Sequence, residues 1–271
     1  MSRLRDTFAR LRAARRTALI PYLTCGFPSR AATLDLLLAT ADAGADAIEL
    51  GVPFSDPLAD GPVIQGTTHH ALERGVRVDD AFRIAERFRA RSGVPLLFMT
   101  YCNLVLQRGV RKFVRDARRA GVDGLIVADQ PPDEAGGLQI AAAAEGVDLT
   151  FLCAPTSTPE RIRRVCRATT GFVYLVSLRG VTGARAALPP DLAAFVRRVR
   201  RETAKPLCVG FGISTPAQAR AVGRMADGVI VGSALLREIG ARPARDASRA
   251  AARFLGALRR AMDRSTGGRV R

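Results

Sequence analysis

The sequence predicts a single α/β domain: a (β/α)8 TIM barrel with an extra helix at its N-terminus and a short helix after the eighth strand. Three observations carry that prediction. Continuous apolar runs, the pattern of strands covered on both faces, recur eight times. Segments with helical signals separate them. Strand and helix alternate along the whole chain, as a barrel of βα units requires. The domain is placed over residues 1–264 and a frayed tail over 265–271.

The elements follow in order. Leu4, Phe8 and Leu11 fall at i, i+4 and i+7 and predict a short docked helix. The first strand is "ALIPYLT" (18–24). In the helix after it, Leu34, Leu37, Leu38 and Ala41 form one stripe, with Ser29 as cap and Gly44 at the end. Further strands are "DAIELGV" (46–52), "PLLFMTY" (95–101), "GLIVAD" (124–129), "LTFLCA" (149–154), "FVYLVS" (172–177), "PLCVGFG" (206–212) and "GVIVGS" (228–233). Thr158-Pro159 and Thr215-Pro216 each join an N-cap to Pro at the first helical position. In the last helix Ala251, Phe254, Leu255, Leu258 and Met262 share a face. A doubly wound open sheet would need a Gly-rich fingerprint after its first strand, and "YLTCGFPSR" is not G-x-G-x-x-G.

Composition excludes several functions. The chain has 271 residues, 48% of them apolar, yet no apolar run reaches the roughly 20 residues that span a bilayer. The basic N-terminus has no apolar region ahead of a cleavage site, so a cytoplasmic protein is expected. The five cysteines are dispersed without a C-x-x-C pair, and the two histidines, His69 and His70, lack metal-ligand spacing; no metal site is expected. The net charge of +17 first suggests nucleic acid. However, 40 Arg against 2 Lys, spread over almost every helical segment, fit biased codon supply better than a phosphate-binding stripe. No basic run is interleaved with aromatics, so nucleic-acid binding is not expected.

Chemistry in such barrels sits at the C-terminal ends of the strands. "AIELGVPFSDPLADGP" (47–62) places Glu49 near the end of the second strand and Asp60 in the loop beyond it. Tyr101 ends the third strand. "SLRGVTGARAALPP" (177–190) is a long loop of the kind that forms lids. Gly212 after the seventh strand, and Gly232-Ser233 opening the helix "SALLREIG", expose backbone N–H groups suited to a phosphate dianion.

Together, "ELGVPFSDPLADGPVIQ", "VADQPPDE", "GVTGARAALP", "GFGISTPAQ" and "ADGVIVGSAL" resemble the tryptophan synthase alpha subunit family, from about residue 4 to about 262. The resemblance implies retro-aldol cleavage of indole-3-glycerol phosphate to indole and glyceraldehyde 3-phosphate, with Glu49 as mobile proton carrier and Asp60 as the carboxylate that stabilises the ring cation. It implies phosphate contacts at Gly183, Gly212, Gly232 and Ser233, a lid contact from Thr182 to Asp60, and pocket walls from Tyr22, Tyr101 and Tyr174. Pro53 and Asp56 are implied at the contact with a beta subunit. No metal or organic cofactor is implied here; pyridoxal phosphate belongs to the beta partner. One departure stands in the lid segment: Leu178 follows Ser177, and Arg comes one place later, at 179. A stand-alone lyase releasing free indole is the alternative, and a basic barrel binding nucleic acid or an acidic partner is a more distant one.

Overall fold

In a computed structural model of the chain, residues 2–176, 188–210 and 212–263 are described. The predicted lid residues Thr182 and Gly183 and the tail 265–271 lie outside them.

Nine parallel strands form one sheet: β1 (Ala18–Thr24), β2 (Ile48–Gly51), β3 (Leu96–Thr100), β4 (Gly124–Val127), β5 (Asp148–Leu149), β6 (Leu152–Cys153), β7 (Val173–Val176), β8 (Leu207–Gly210) and β9 (Gly228–Val231). Their order is β5-β4-β3-β2-β1-β9-β8-β7-β6. The two end strands, β5 and β6, are consecutive in the chain, so the sheet closes on itself as a TIM barrel. The single fifth strand expected over 149–154 is thus two short pieces. Asp148–Leu149 pairs with β4, and Leu152–Cys153 pairs with β7.

Buried apolar residues fall into two clusters that alternate along each strand. Leu19 and Leu23, Ile48 and Leu50, Leu96 and Phe98 face the surrounding helices. Ala18, Ile20 and Tyr22, Ala47, Leu97 and Met99, Tyr174, Cys208 and Ile230 fill the interior. The docked helix is Arg3–Ala13, capped by Ser2. Its Leu4, Phe8 and Leu11 join the interior cluster beside Phe172, at the start of β7. That helix plugs the N-terminal end of the barrel, so only the C-terminal end is left for a ligand.

The N-terminal end is clamped by a repeated device. Asp46 donates its backbone N–H to the Leu19 carbonyl and accepts the Leu19 N–H on its carboxylate at 2.9 Å. Asp123 does the same with Leu96, and Asp227 with Leu207. Arginines complete each carboxylate: Arg259 and Arg16 at Asp46, Arg89 and Arg3 at Asp123, Arg200 at Asp227. Asp148 takes Arg5 and the Ser2 hydroxyl. The clasps of Asp46, Asp123 and Asp227 each tie the first or second residue of one strand to the turn before a neighbour.

The expected helical signals are realised. Ser29 caps Arg30–Asp42, Thr158 caps Pro159–Ala168 and Thr215 caps Pro216–Gly223. Ala251, Leu255, Leu258 and Met262 of Ala247–Asp263 are buried. Two features were not expected: the second and third units each carry two helices, Pro62–Glu73 with Val78–Arg89, and Cys102–Arg108 with Val110–Arg119.

Candidate active site

Glu49 stands on β2 between Ile48 and Leu50, both of which face outward, so its carboxyl group points into the barrel. Its register partners are Tyr22 on β1 and Leu97 on β3, both interior residues. It is fully buried. Neither carboxyl oxygen has a hydrogen-bond partner among the described residues. Burial therefore pushes this carboxyl well above the ordinary carboxylate range, with no cation among the described residues to pull it back.

Asp60 reaches the same end from the β2 loop. Its Oδ2 accepts the Tyr101 hydroxyl at 2.8 Å, and Oδ1 has no partner among the described residues. Burial raises its pKa to about 6, against the lowering effect of the Tyr101 hydrogen bond. The loop is anchored from behind, where Gln65 donates to the Asp60 carbonyl at 2.8 Å. Tyr101 in turn packs against Phe54, with centroids 5.2 Å apart.

The three tyrosines converge here. Burial raises the Tyr22 hydroxyl well above its usual range, with Asp60 and then Glu49 adding to the shift. Burial also raises Tyr174, with Glu49 and then Asp60 adding. Both phenols lie within the fields of the two carboxyl groups. Their placement depends on two glycines that the sequence did not single out. A Cβ on Gly51 would meet the Tyr22 hydroxyl at 2.0 Å, and one on Gly210 would meet the Tyr174 hydroxyl at 2.5 Å. In each case the ring leans along its strand onto a glycine of the next strand. Finding these glycines requires the strand register, which a single sequence does not contain.

At the expected phosphate turns, Gly212 has φ +79°, a conformation that favours glycine. Gly232 is different: a Cβ there would make only ordinary contact, 3.4 Å from Tyr22 Cβ. Packing of the described residues leaves room for a side chain at 232, so the glycine leaves space at the turn that a ligand could occupy. Ser233 begins the helix Ser233–Gly240, and no side chain caps that N-terminus. Its first N–H groups are oriented for an anion.

Asp56 is exposed, and Pro53 is buried beneath its loop. His69 pairs with Glu73, and His70 bonds the Pro28 carbonyl, so neither joins the site. Among the described residues no cluster of three His, Cys, Asp or Glu could hold a metal ion, and no helix is long and apolar enough to cross a membrane.

A barrel whose open end gathers two under-partnered carboxyl groups, three phenols and an uncapped helix N-terminus has the machinery of a TIM-barrel acid–base enzyme. The comparisons with known proteins make that class specific. The family model described as tryptophan synthase alpha chain matches residues 8–265. The alpha chain of Roseiflexus castenholzii is 52% identical over 240 residues, 88% of this chain and 92% of that one. The alpha subunit structure from Legionella pneumophila superposes with a TM-score of 0.91 at 38% identity, covering 97% of this chain and 99% of the other. A chain of the tryptophan synthase complex from Pyrococcus furiosus gives 0.84 at 40% identity, covering 90% and 98%. This chain belongs to the tryptophan synthase alpha chain family, a family of enzymes of tryptophan biosynthesis.

Proposed function

We propose that this chain cleaves indole-3-glycerol phosphate by a retro-aldol reaction to indole and glyceraldehyde 3-phosphate. The observation that carries the reading is Glu49: a carboxyl group fully buried in the open end of the barrel, with both oxygens unpartnered among the described residues and Asp60 nearby. Indole is a poor carbanion leaving group, so its C3 must first gain a proton. A carboxyl group kept neutral by burial supplies that proton, and as the carboxylate it then takes one from the glycerol hydroxyl as the C–C bond breaks. Protonation at C3 puts positive charge near the ring nitrogen. Asp60, with a pKa of about 6, is largely ionised at neutral pH and stabilises that charge. Two carboxyl groups whose environments separate their titrations divide acid and electrostatic roles between them. Gly212, Gly232 and Ser233 receive the phosphate. Gly183 and Thr182 complete the closed site in this reading, which calls for no metal or organic cofactor in this chain.

The reading includes a beta subunit carrying pyridoxal phosphate, docked at the C-terminal end. The large apolar side chains most exposed among the described residues are Leu58, Leu106 and Ile140, at 86%, 57% and 69%. They sit on the segments after β2, β3 and β4, so they mark one sector of the barrel, next to Asp56. Exposed apolar groups concentrated in one sector suit an interface.

Steady-state cleavage of indole-3-glycerol phosphate by the purified chain, with and without a beta subunit, tests both parts. Slow turnover that rises sharply with the partner is expected. Fast turnover alone would indicate a stand-alone indole-releasing lyase, and no turnover in either case would reject the reading. Gly232→Glu is expected to raise KM by setting a carboxylate against the phosphate; an unchanged KM moves the phosphate site elsewhere.

A further inference from the structure

Tyr22 touches both halves of the proposed site. At its base, the ring's Cβ lies 3.4 Å from where a side chain on Gly232 would begin. At its tip, the hydroxyl, Cζ and Cε2 lie 2.0, 2.5 and 2.8 Å from where a side chain on Gly51 would begin. Between these points it is the register partner of Glu49. The ring therefore runs from the turn that opens the helix Ser233–Gly240 to the end of the strand that carries Glu49. The strand just beyond it is tied to the helix after Asp60. Thr24, two residues on and the register partner of Gly51, shares a 2.8 Å hydrogen bond with Thr67, whose hydroxyl donates to the Ile64 carbonyl. Thr67 and Ile64 belong to Pro62–Glu73, the helix that begins two residues after Asp60.

From this we propose that Tyr22 and Gly51 form a positioning pair, in which the missing side chain at 51 lets the tip of the Tyr22 ring reach over the end of β2 and fix the separation between the phosphate turn and the Glu49 carboxyl group. The inference rests on the proposed lyase reaction for its catalytic meaning, but the physical coupling of the two residues does not depend on it. Any side chain at 51 displaces the ring, because two ring atoms and the hydroxyl lie closer than real Cβ contacts allow. A displaced ring shifts against its neighbours Glu49 and Gly232. Such a shift changes how the bond to be broken lies against its proton donor, and geometric errors of this size are costly to a chemical step.

The test is a double-mutant cycle on the full chain with its beta subunit, read in kcat, KM and melting temperature. Gly51→Ala is expected to lower kcat by about 10- to 100-fold while KM changes by less than about twofold. Tyr22→Leu removes the ε and ζ carbons and the hydroxyl that a side chain at 51 would strike. The double variant Gly51→Ala/Tyr22→Leu is therefore expected to melt above Gly51→Ala and to lose less than the product of the two single losses. Additive losses in both readouts, or a Gly51→Ala enzyme with unchanged kcat, would overturn the pair. Should Gly51→Ala fail to fold alone, recovery of a folded protein in the double variant supports the pair, and failure to recover rejects it. If the unaltered chain shows no lyase turnover, the melting-temperature cycle still decides the pairing, and the proposed reaction is rejected separately.

Discussion

The two ends of the barrel treat the same chemical group in opposite ways. At the N-terminal end Asp46, Asp123, Asp148 and Asp227 each meet at least one arginine, and three of them also accept a strand N–H. Even Asp46, whose carboxyl burial pushes up, has the Leu19 N–H, Arg16 and Arg259 pulling the other way. At the C-terminal end, Glu49 and one oxygen of Asp60 have no partner among the described residues. Among the described residues they are also the only buried carboxyl oxygens of which this is true. A buried carboxyl group without partners is costly whether charged or neutral, so a fold keeps it only where something else requires it. Acids at one end hold the barrel together, and in the proposed reaction acids at the other are kept for chemistry.

Four changes would break or sharpen that contrast. Glu49→Gln is expected to cut lyase turnover by roughly a thousandfold or more, with substrate affinity mostly intact because shape is conserved; near-normal turnover would remove Glu49 from its role. Asp123→Asn is expected to destabilise the fold by about 3 to 5 kcal/mol, since it leaves Arg89 facing the turn without its carboxylate. Chemical denaturation measures that loss, and kcat per folded molecule should stay close to the unaltered value.

The third change concerns pH. If Asp60 must be ionised, kcat/KM should rise with pH through about 6. Tyr101→Phe deletes a hydrogen bond that holds this pKa down, so the acid limb of the profile should move upward. A limb that stays in place would contradict the assignment. The same raised pKa has a consequence for stability with the opposite slope. The contribution of Asp60 is present in full below its unfolded pKa of about 3.9 and is lost as pH rises through the folded value.

The smallest effect is expected at Lys205, one of two lysines beside 40 arginines. Its ammonium group donates to the carbonyls of Cys166, Arg167 and Thr169 at the C-terminus of Pro159–Ala168. Three carbonyls around one point suit a compact tetrahedral donor and not a planar fork. Lys205→Arg should therefore cost about 1 kcal/mol in a melt, despite the conserved charge; an unchanged melt would mean the fork fits after all.

Much of this division could be read from residues in a row. Glu49 and Asp60 stand in one short pattern, and each apolar run marks a strand, because burial on both faces leaves a local trace. The split of the fifth strand left none, since "LTFLCA" is equally apolar where it changes partners. The clasps did leave a trace that went unused: Gly44-Ala-Asp46, Gly121-Val-Asp123 and Gly146-Val-Asp148 each precede a strand or begin it. Their arginines come from as far away as Arg259, which no local pattern connects to Asp46. Gly51 and Gly210 show their purpose only when register sets a tyrosine ring over each.

The most direct test of the contrast is to measure turnover and melting temperature for Glu49→Gln and Asp123→Asn side by side. Each change replaces one carboxylate by its amide, at opposite ends of one barrel. The expected result is crossed: Glu49→Gln loses turnover and melts at or above the unaltered chain, while Asp123→Asn keeps its turnover and melts well below it. If both variants lost activity and stability together, the two ends would not be divided between chemistry and structure, and the account would be wrong.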